Sequence, residues 1–216
     1  MPHDTSAPPQ KLLSGYRRFL ANDYPEKKSQ YLELAEKGQK PETMVIACCD
    51  SRAAPETVFN ASTGEMFVVR NVANLVQPFD SDAPYEATAA ALEFASVHLQ
   101  VKQIVVMGHA RCGGIQASLS DDFDPLSGDN FVGNWIRSLQ PLATRISHQE
   151  SANPTSAQLV MERESIRASV QHLLTYSCVR DRYDRNQISL HGAWFDIASG
   201  ELWWMDNEDG DFFPVT

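Results

Sequence analysis

Three short apolar runs constrain the fold of this 216-residue chain more than any other feature. Residues 43–48, 65–70 and 103–107 are each too short for a stable helix. They are rich in branched side chains and apolar at consecutive rather than alternate positions. Such runs mark strands covered on both faces. Between them the period changes. Residues 84–99 place Tyr85, Thr88, Ala91, Leu92 and Ala95 at helical spacing, and Gly113 and Gly114 open a helix after the third run. Residues 130–145 and 157–180 also read as helices. Residues 187–196 and 201–205 read as closing strands joined by a turn at Ser199 and Gly200. Strands alternating with helices predict an α/β fold, a mostly parallel central β-sheet flanked by helices. Sites in such sheets lie beyond the carboxyl ends of the strands.

Ahead of the first strand, Leu12, Leu13, Tyr16, Phe19, Leu20, Tyr31, Leu32 and Leu34 recur at helical spacing, with a break expected at residues 22–25. This predicts an N-terminal helical arm over residues 1–38, of the kind that packs on a neighbouring subunit. The core is then 39–216, within a single domain, which suits this length. A net charge of -10 argues against a nucleic-acid partner and against attraction to anionic lipid. No run approaches the roughly 18–20 apolar residues that span a bilayer. Residues 1–10 have neither a basic start nor an apolar stretch, so no export signal is expected and the expected location is cytoplasmic. Four cysteines in such a setting suit metal or catalysis better than a disulfide scaffold.

Two segments leave strand ends and carry the chemistry. One is Cys48-Cys49-Asp50-Ser51-Arg52; the other is His109-Ala110-Arg111-Cys112 followed by Gly113 and Gly114. His109 and Cys112 are three apart in a turn, which lets both reach one ion. In an extended segment alternate residues share a face, so Cys48, Asp50 and Arg52 point together and Cys49 points away. Cys48, His109 and Cys112 then make three ligands for Zn2+ with the fourth position open, the catalytic pattern of zinc. The helix opening at Gly113 favours a thiolate at Cys112. Asp50 could fill the fourth position; the planar fork of Arg52 can hold it off. Cys49 and Cys178 are assigned to packing. His98, His148, His172 and His191 are read as structural or solvated, residues 206–211 as solvated surface, and the Trp203–Trp204 pair as core or interface.

These residues resemble the signature of the beta-class carbonic anhydrases, Cys-x-Asp-x-Arg followed by His-x-x-Cys. The resemblance extends to residues 64–74 and 108–115, and runs from about residue 38 to beyond 200. It implies zinc-dependent, reversible hydration of carbon dioxide to bicarbonate through a zinc-bound hydroxide that Asp50 orients. It implies Arg52 beside Asp50, and substrate contacts at Gln39, Phe67, Val72, Phe94 and Gly113, with Gln39 supplied by the partner subunit. The cleft tyrosine of the family is Phe94 here, which keeps the ring and loses the hydroxyl. It also implies a homodimer or higher homo-oligomer. One branch of the family builds an inhibitory bicarbonate pocket with Trp and Gly where this chain has Val45 and Ala47. This sequence is therefore similar to the plant-type branch. The alternatives on the same residues are a carbonyl sulfide or carbon disulfide hydrolase, and a non-catalytic zinc protein that Asp50 closes permanently.

Overall fold

The run at residues 43–48 forms strand β1 (Thr43–Cys48), buried at five of its six positions. It belongs to a six-stranded sheet with β2 (Met66–Asn71), β3 (Gln103–His109), β4 (Ser189–Phe195), β5 (Leu202–Met205) and β6 (Phe212–Pro214). The spatial order is β2-β1-β3-β4-β5-β6. The first four strands in this order are parallel, β5 pairs antiparallel with β4, and β6 pairs antiparallel with β5. The structure, a computed structural model, describes residues 8–82, 86–120, 126, 128–149 and 154–216. The chain divides into two units, residues 1–39 and 40–216.

The topology locates the site. From β1 the chain moves to β2 on one side, then crosses back to β3 on the other. The carboxyl ends of β1 and β3 therefore flank a switch point, where a crevice opens between the outgoing loops. Both sheet faces are covered, as the consecutive apolar runs require. Met44, Ile46, Ile104, Val106, Leu190 and Trp194 enter one core. Val45, Ala47, Val105, Met107 and Ala193 enter another on the opposite face. Helix α8 (Pro154–Leu173) packs on β3 and β4. Gly108 permits that approach, because a Cβ there would lie 2.7 Å from Cδ1 of Ile166.

Several expected boundaries shift for identifiable reasons. The arm stays helical from α1 (Gln10–Arg18) through a wider turn at Phe19–Asp23 into α2 (Tyr24–Lys37). Pro25 falls in the first turn of α2, directly after the wider turn, so the helix widens ahead of the proline instead of breaking there. Phe19, Tyr24 and Tyr31 form an aromatic cluster with centroids 5.5–6.1 Å apart. No residue of the two arm helices is buried. After β1 comes the one-turn helix α3 (Pro55–Val58), and helix α4 (Ala87–Glu93) continues into a wider turn at Phe94–Leu99; Pro84 and Tyr85 lie outside the described residues. The helix expected over 130–145 is α6 (Phe131–Ile136), a tight turn at Arg137–Leu139, and α7 (Gln140–Gln149). Pro141 suits the first turn of a new helix and not the interior of an old one. The helix expected over 157–180 ends at Leu173. Thr175 Oγ1 donates to the His172 carbonyl at 2.6 Å, Tyr176 is extended, and α9 (Ser177–Tyr183) begins afresh. Strand β6 is not legible in the sequence, since three residues show no period. Residues 206–211 form the turn before it, with Gly210 at φ 79°.

Candidate metal centre

Cys48 is the last residue of β1 and His109 the last of β3, so the switch point brings them together. Cys112 follows three residues later, immediately before α5 (Gly113–Ser118). All three are buried, and their donor atoms lie within 4.8 Å of one another. The two sulfurs are 3.9 Å apart. Two Zn–S bonds of about 2.3 Å at a tetrahedral angle would separate them by about 3.8 Å. Among the described residues no other group of His, Cys, Asp and Glu clusters this way.

The imidazole is set for the same ion. Nδ1 of His109 is 2.9 Å from the Ala110 carbonyl, which can only accept, so Nδ1 carries the proton. The lone pair is then on Nε2, which is buried with no hydrogen-bond partner. A buried orphan acceptor is costly unless something occupies it. The free lone pair of Nε2, the sulfur spacing and the donor chemistry together fit zinc.

Each sulfur also receives two backbone N–H groups: Asp50 and Ala73 point at Cys48, and Gly114 and Ile115 at Cys112. The two sulfurs are close enough that a charge on one opposes a charge on the other. The hydrogen bond from Cys112 pushes Cys48 well below its ordinary pKa and pushes Cys112 well above. A divalent ion removes the conflict and lets both ionise. The N–H of Ala73 is delivered by an unusual backbone. Ala73 has φ 63° and Asn74 φ 50°, both left-handed. The bend persists because its surroundings fix it. Asn71 exchanges two 2.8 Å hydrogen bonds with the Leu75 backbone, and Trp135 Nε1 donates to the Val72 carbonyl at 2.8 Å.

Asp50 and Arg52 stand beside this cluster. Arg52 donates from Nε to Oδ1 at 2.9 Å, from Nη2 to Oδ2 at 2.7 Å, and from its backbone N–H to Oδ1 at 2.9 Å. The pairing holds the Asp50 carboxyl well below the usual carboxylate range. Oδ2 remains 3.9 Å from Nε2 of His109.

A family model described as carbonic anhydrase matches residues 43–202. Beta carbonic anhydrase 3 of Arabidopsis thaliana is 35% identical over 212 residues, covering 96% of this chain and 81% of that one. This chain belongs to the beta carbonic anhydrase family. Among solved structures, the beta-carbonic anhydrase CcaA superposes with a TM-score of 0.85 at 27% identity, covering 96% of this chain and 92% of the other. One from the ascomycete Sordaria macrospora gives 0.80 at 27% identity, over 94% and 98%. The activity of this carbonic anhydrase is the interconversion of carbon dioxide and bicarbonate, and Cys48, His109 and Cys112 form its zinc site.

The other expected residues fall as follows in this carbonic anhydrase. Phe67 and Phe94 pack in a tilted arrangement with centroids 5.8 Å apart, and His98 packs tilted against Phe94 at 4.7 Å. Val72 lines a cavity of about 540 Å³ with Cys49, Arg70 and Trp135. Gly113 opens α5 with nothing within 4 Å of where a Cβ would sit. Gln39 is the last residue of the arm unit. Cys49 corrects an expectation: it is exposed rather than packed. Sequence reasoning also missed two residues. Arg70 donates to the Cys48 carbonyl at 2.9 Å and the Asp50 carbonyl at 2.6 Å, clamping the ligand loop. Glu162 is buried behind Cys112. Both act on backbone atoms far away in sequence, which no local spacing reveals.

Proposed function

We propose that Asp50 and Arg52 act as a pair at the open corner of the zinc site. The observation that carries this is the double grip of Arg52 on Asp50, with Oδ2 still facing Nε2 of His109. Zinc held by Cys48, His109 and Cys112 supplies a Lewis acid that makes water acidic enough to attack near neutral pH. Asp50 accepts a hydrogen bond from the attacking water and aims its lone pair at carbon. Arg52 keeps the carboxylate charged and prevents it from becoming a fourth ligand. Phe67, Val72 and Phe94 give carbon dioxide an apolar surface, and Gly113 leaves space beside it. Gln39 of a partner subunit donates from its side-chain amide to a substrate oxygen as charge develops.

Assembly is part of this reading. The helices of the arm present Leu12, Tyr16, Leu20 and Leu32 to solvent, an apolar surface suited to a second copy. The Sordaria macrospora relatives are tetrameric; for this chain a homodimer or higher homo-oligomer is proposed. Free thiols at all four cysteines suit a reducing, cytoplasmic setting. Among the described residues no helix is long and apolar enough to cross a membrane.

The test is stopped-flow hydration of carbon dioxide by Asp50→Asn and Arg52→Ala, each with its zinc content measured. Both should retain zinc and lose turnover. Full turnover in either variant would refute the pair.

A further inference from the structure

Helix α8 contributes one carboxylate to the interior, at Glu162, which is 3% exposed. Three donors converge on it from three parts of the chain. The backbone N–H of Cys112 donates to Oε1 at 3.1 Å. Nε2 of Gln158, one helical turn earlier, donates to the same oxygen at 3.1 Å. Nε1 of Trp194 on β4 donates to Oε2 at 3.0 Å. A backbone amide and an indole offer only hydrogens, so the carboxyl serves both as an acceptor.

Burying a carboxyl is expensive, and a helix that packs on a sheet does not need one. An apolar residue at position 162 would serve the packing of Ile166 and Met161 on the same helix at no such cost. What the carboxyl adds is a fixed attachment between α8 and the backbone of one metal ligand. Cys112 opens a short helix, so its N–H has no partner within that helix. Glu162 takes that N–H, while Gly114 and Ile115 take the sulfur from the other side. The Cys112 side chain is thereby held from both ends. Trp194 ties the same carboxyl to the strand next to β3, which carries His109.

We propose that Glu162 is a positioning residue for zinc: it fixes the Cys112 backbone so that the sulfur stands ready beside Cys48 before the ion arrives. It touches neither substrate nor metal and acts through Cys112. The proposal rests on the zinc site itself and not on the roles given to Asp50 and Arg52. A readout of zinc affinity therefore separates the two.

The experiment is chelator competition for zinc with the full chain, alongside thermal melting of the zinc-free protein. Removing an outer partner of a metal ligand weakens metal binding by about 10–100-fold, and Glu162→Ala should do so. Glu162→Gln keeps an oxygen for the Cys112 N–H but turns an amide nitrogen toward Trp194. Its affinity should fall between those of Glu162→Ala and wild type, at least about threefold below the latter. Ser169→Ala is the structural control. It lies on the same helix, is buried, and accepts from the Val76 N–H at 3.2 Å. Its melting temperature should drop while zinc affinity stays within about twofold of wild type. Wild-type affinity in Glu162→Ala would overturn the proposal. So would an equal affinity loss in Ser169→Ala, since the effect would then be general to the helix. If Glu162→Ala does not fold, wild-type affinity in Glu162→Gln overturns it.

Discussion

Gly114 lies against Ala73 with no room for a side chain between them: a Cβ at 114 would sit 3.1 Å from the Ala73 Cβ and 2.9 Å from Cγ1 of Val72. This contact joins the two ligand loops. Ala73 sends its N–H to Cys48, and Gly114 sends its own to Cys112. Gly114→Ala should therefore disturb both sulfurs at once. Overpacking of this kind costs about 1–3 kcal/mol, measurable by chemical denaturation, and hydration activity should fall with it. Gly113→Ala is the contrast, because nothing lies within 4 Å of its Cβ position. Stability should stay within about 1 kcal/mol of wild type. A loss of activity at unchanged stability would fit Gly113 beside the substrate.

The pair Asp50 and Arg52 gives a second prediction. An oriented acid–base group contributes about 10²–10⁴-fold to rate, so Asp50→Asn should lose about 10²-fold or more in kcat/KM. Arg52→Lys should also lose activity, because a point charge cannot replace a planar fork on two oxygens. The zinc content of both should stay at wild-type level by elemental analysis.

The pH dependence follows from the same pairing. Folding lowers the Asp50 pKa, with the Arg52 hydrogen bonds as the largest cause. The carboxylate is thus ionised throughout the working range and contributes no inflection above about pH 4, its ordinary value. Its stabilising contribution is present above that value and fades as pH falls through the lower folded one. Activity should instead rise through neutral pH as the attacking water ionises. A rate that is flat from mildly acidic to alkaline pH would contradict this.

Much of this was legible in advance because it is local. Strand β1 falls at the residues its apolar run indicates, and the alternation of an extended chain selects Cys48 over Cys49 for the ligand cluster, though it does not reveal that Cys49 is exposed rather than packed. His109 and Cys112 are close in sequence, so their shared ion was readable from spacing. What stayed hidden depends on long-range or backbone contacts. Arg70 grips carbonyls 20 and 22 residues away, and Glu162 takes an N–H 50 residues away. Asn74 tolerates a left-handed conformation, but nothing in the sequence announces one at Ala73, which adopts it without being glycine. The interruption after Leu173 depends on a threonine hydroxyl competing for a helical carbonyl, a choice that period alone does not reveal.

Zinc removal should reverse by mass action. Cys48 and Cys112 must both lose protons to bind, so uptake releases protons and weakens in acid. A chelator should lower the melting temperature, and added zinc should restore it. If the zinc-free protein melted at the same temperature, the ion would not be part of the folded site.

The most direct test of the central claim is metal analysis combined with a carbon dioxide hydration assay on wild type and Cys48→Ser. Wild type should carry about one zinc per chain and hydrate carbon dioxide, and the variant should lose both, because a hydroxyl cannot replace the thiolate that Zn2+ requires. A Cys48→Ser protein that kept its zinc and its turnover would contradict the account.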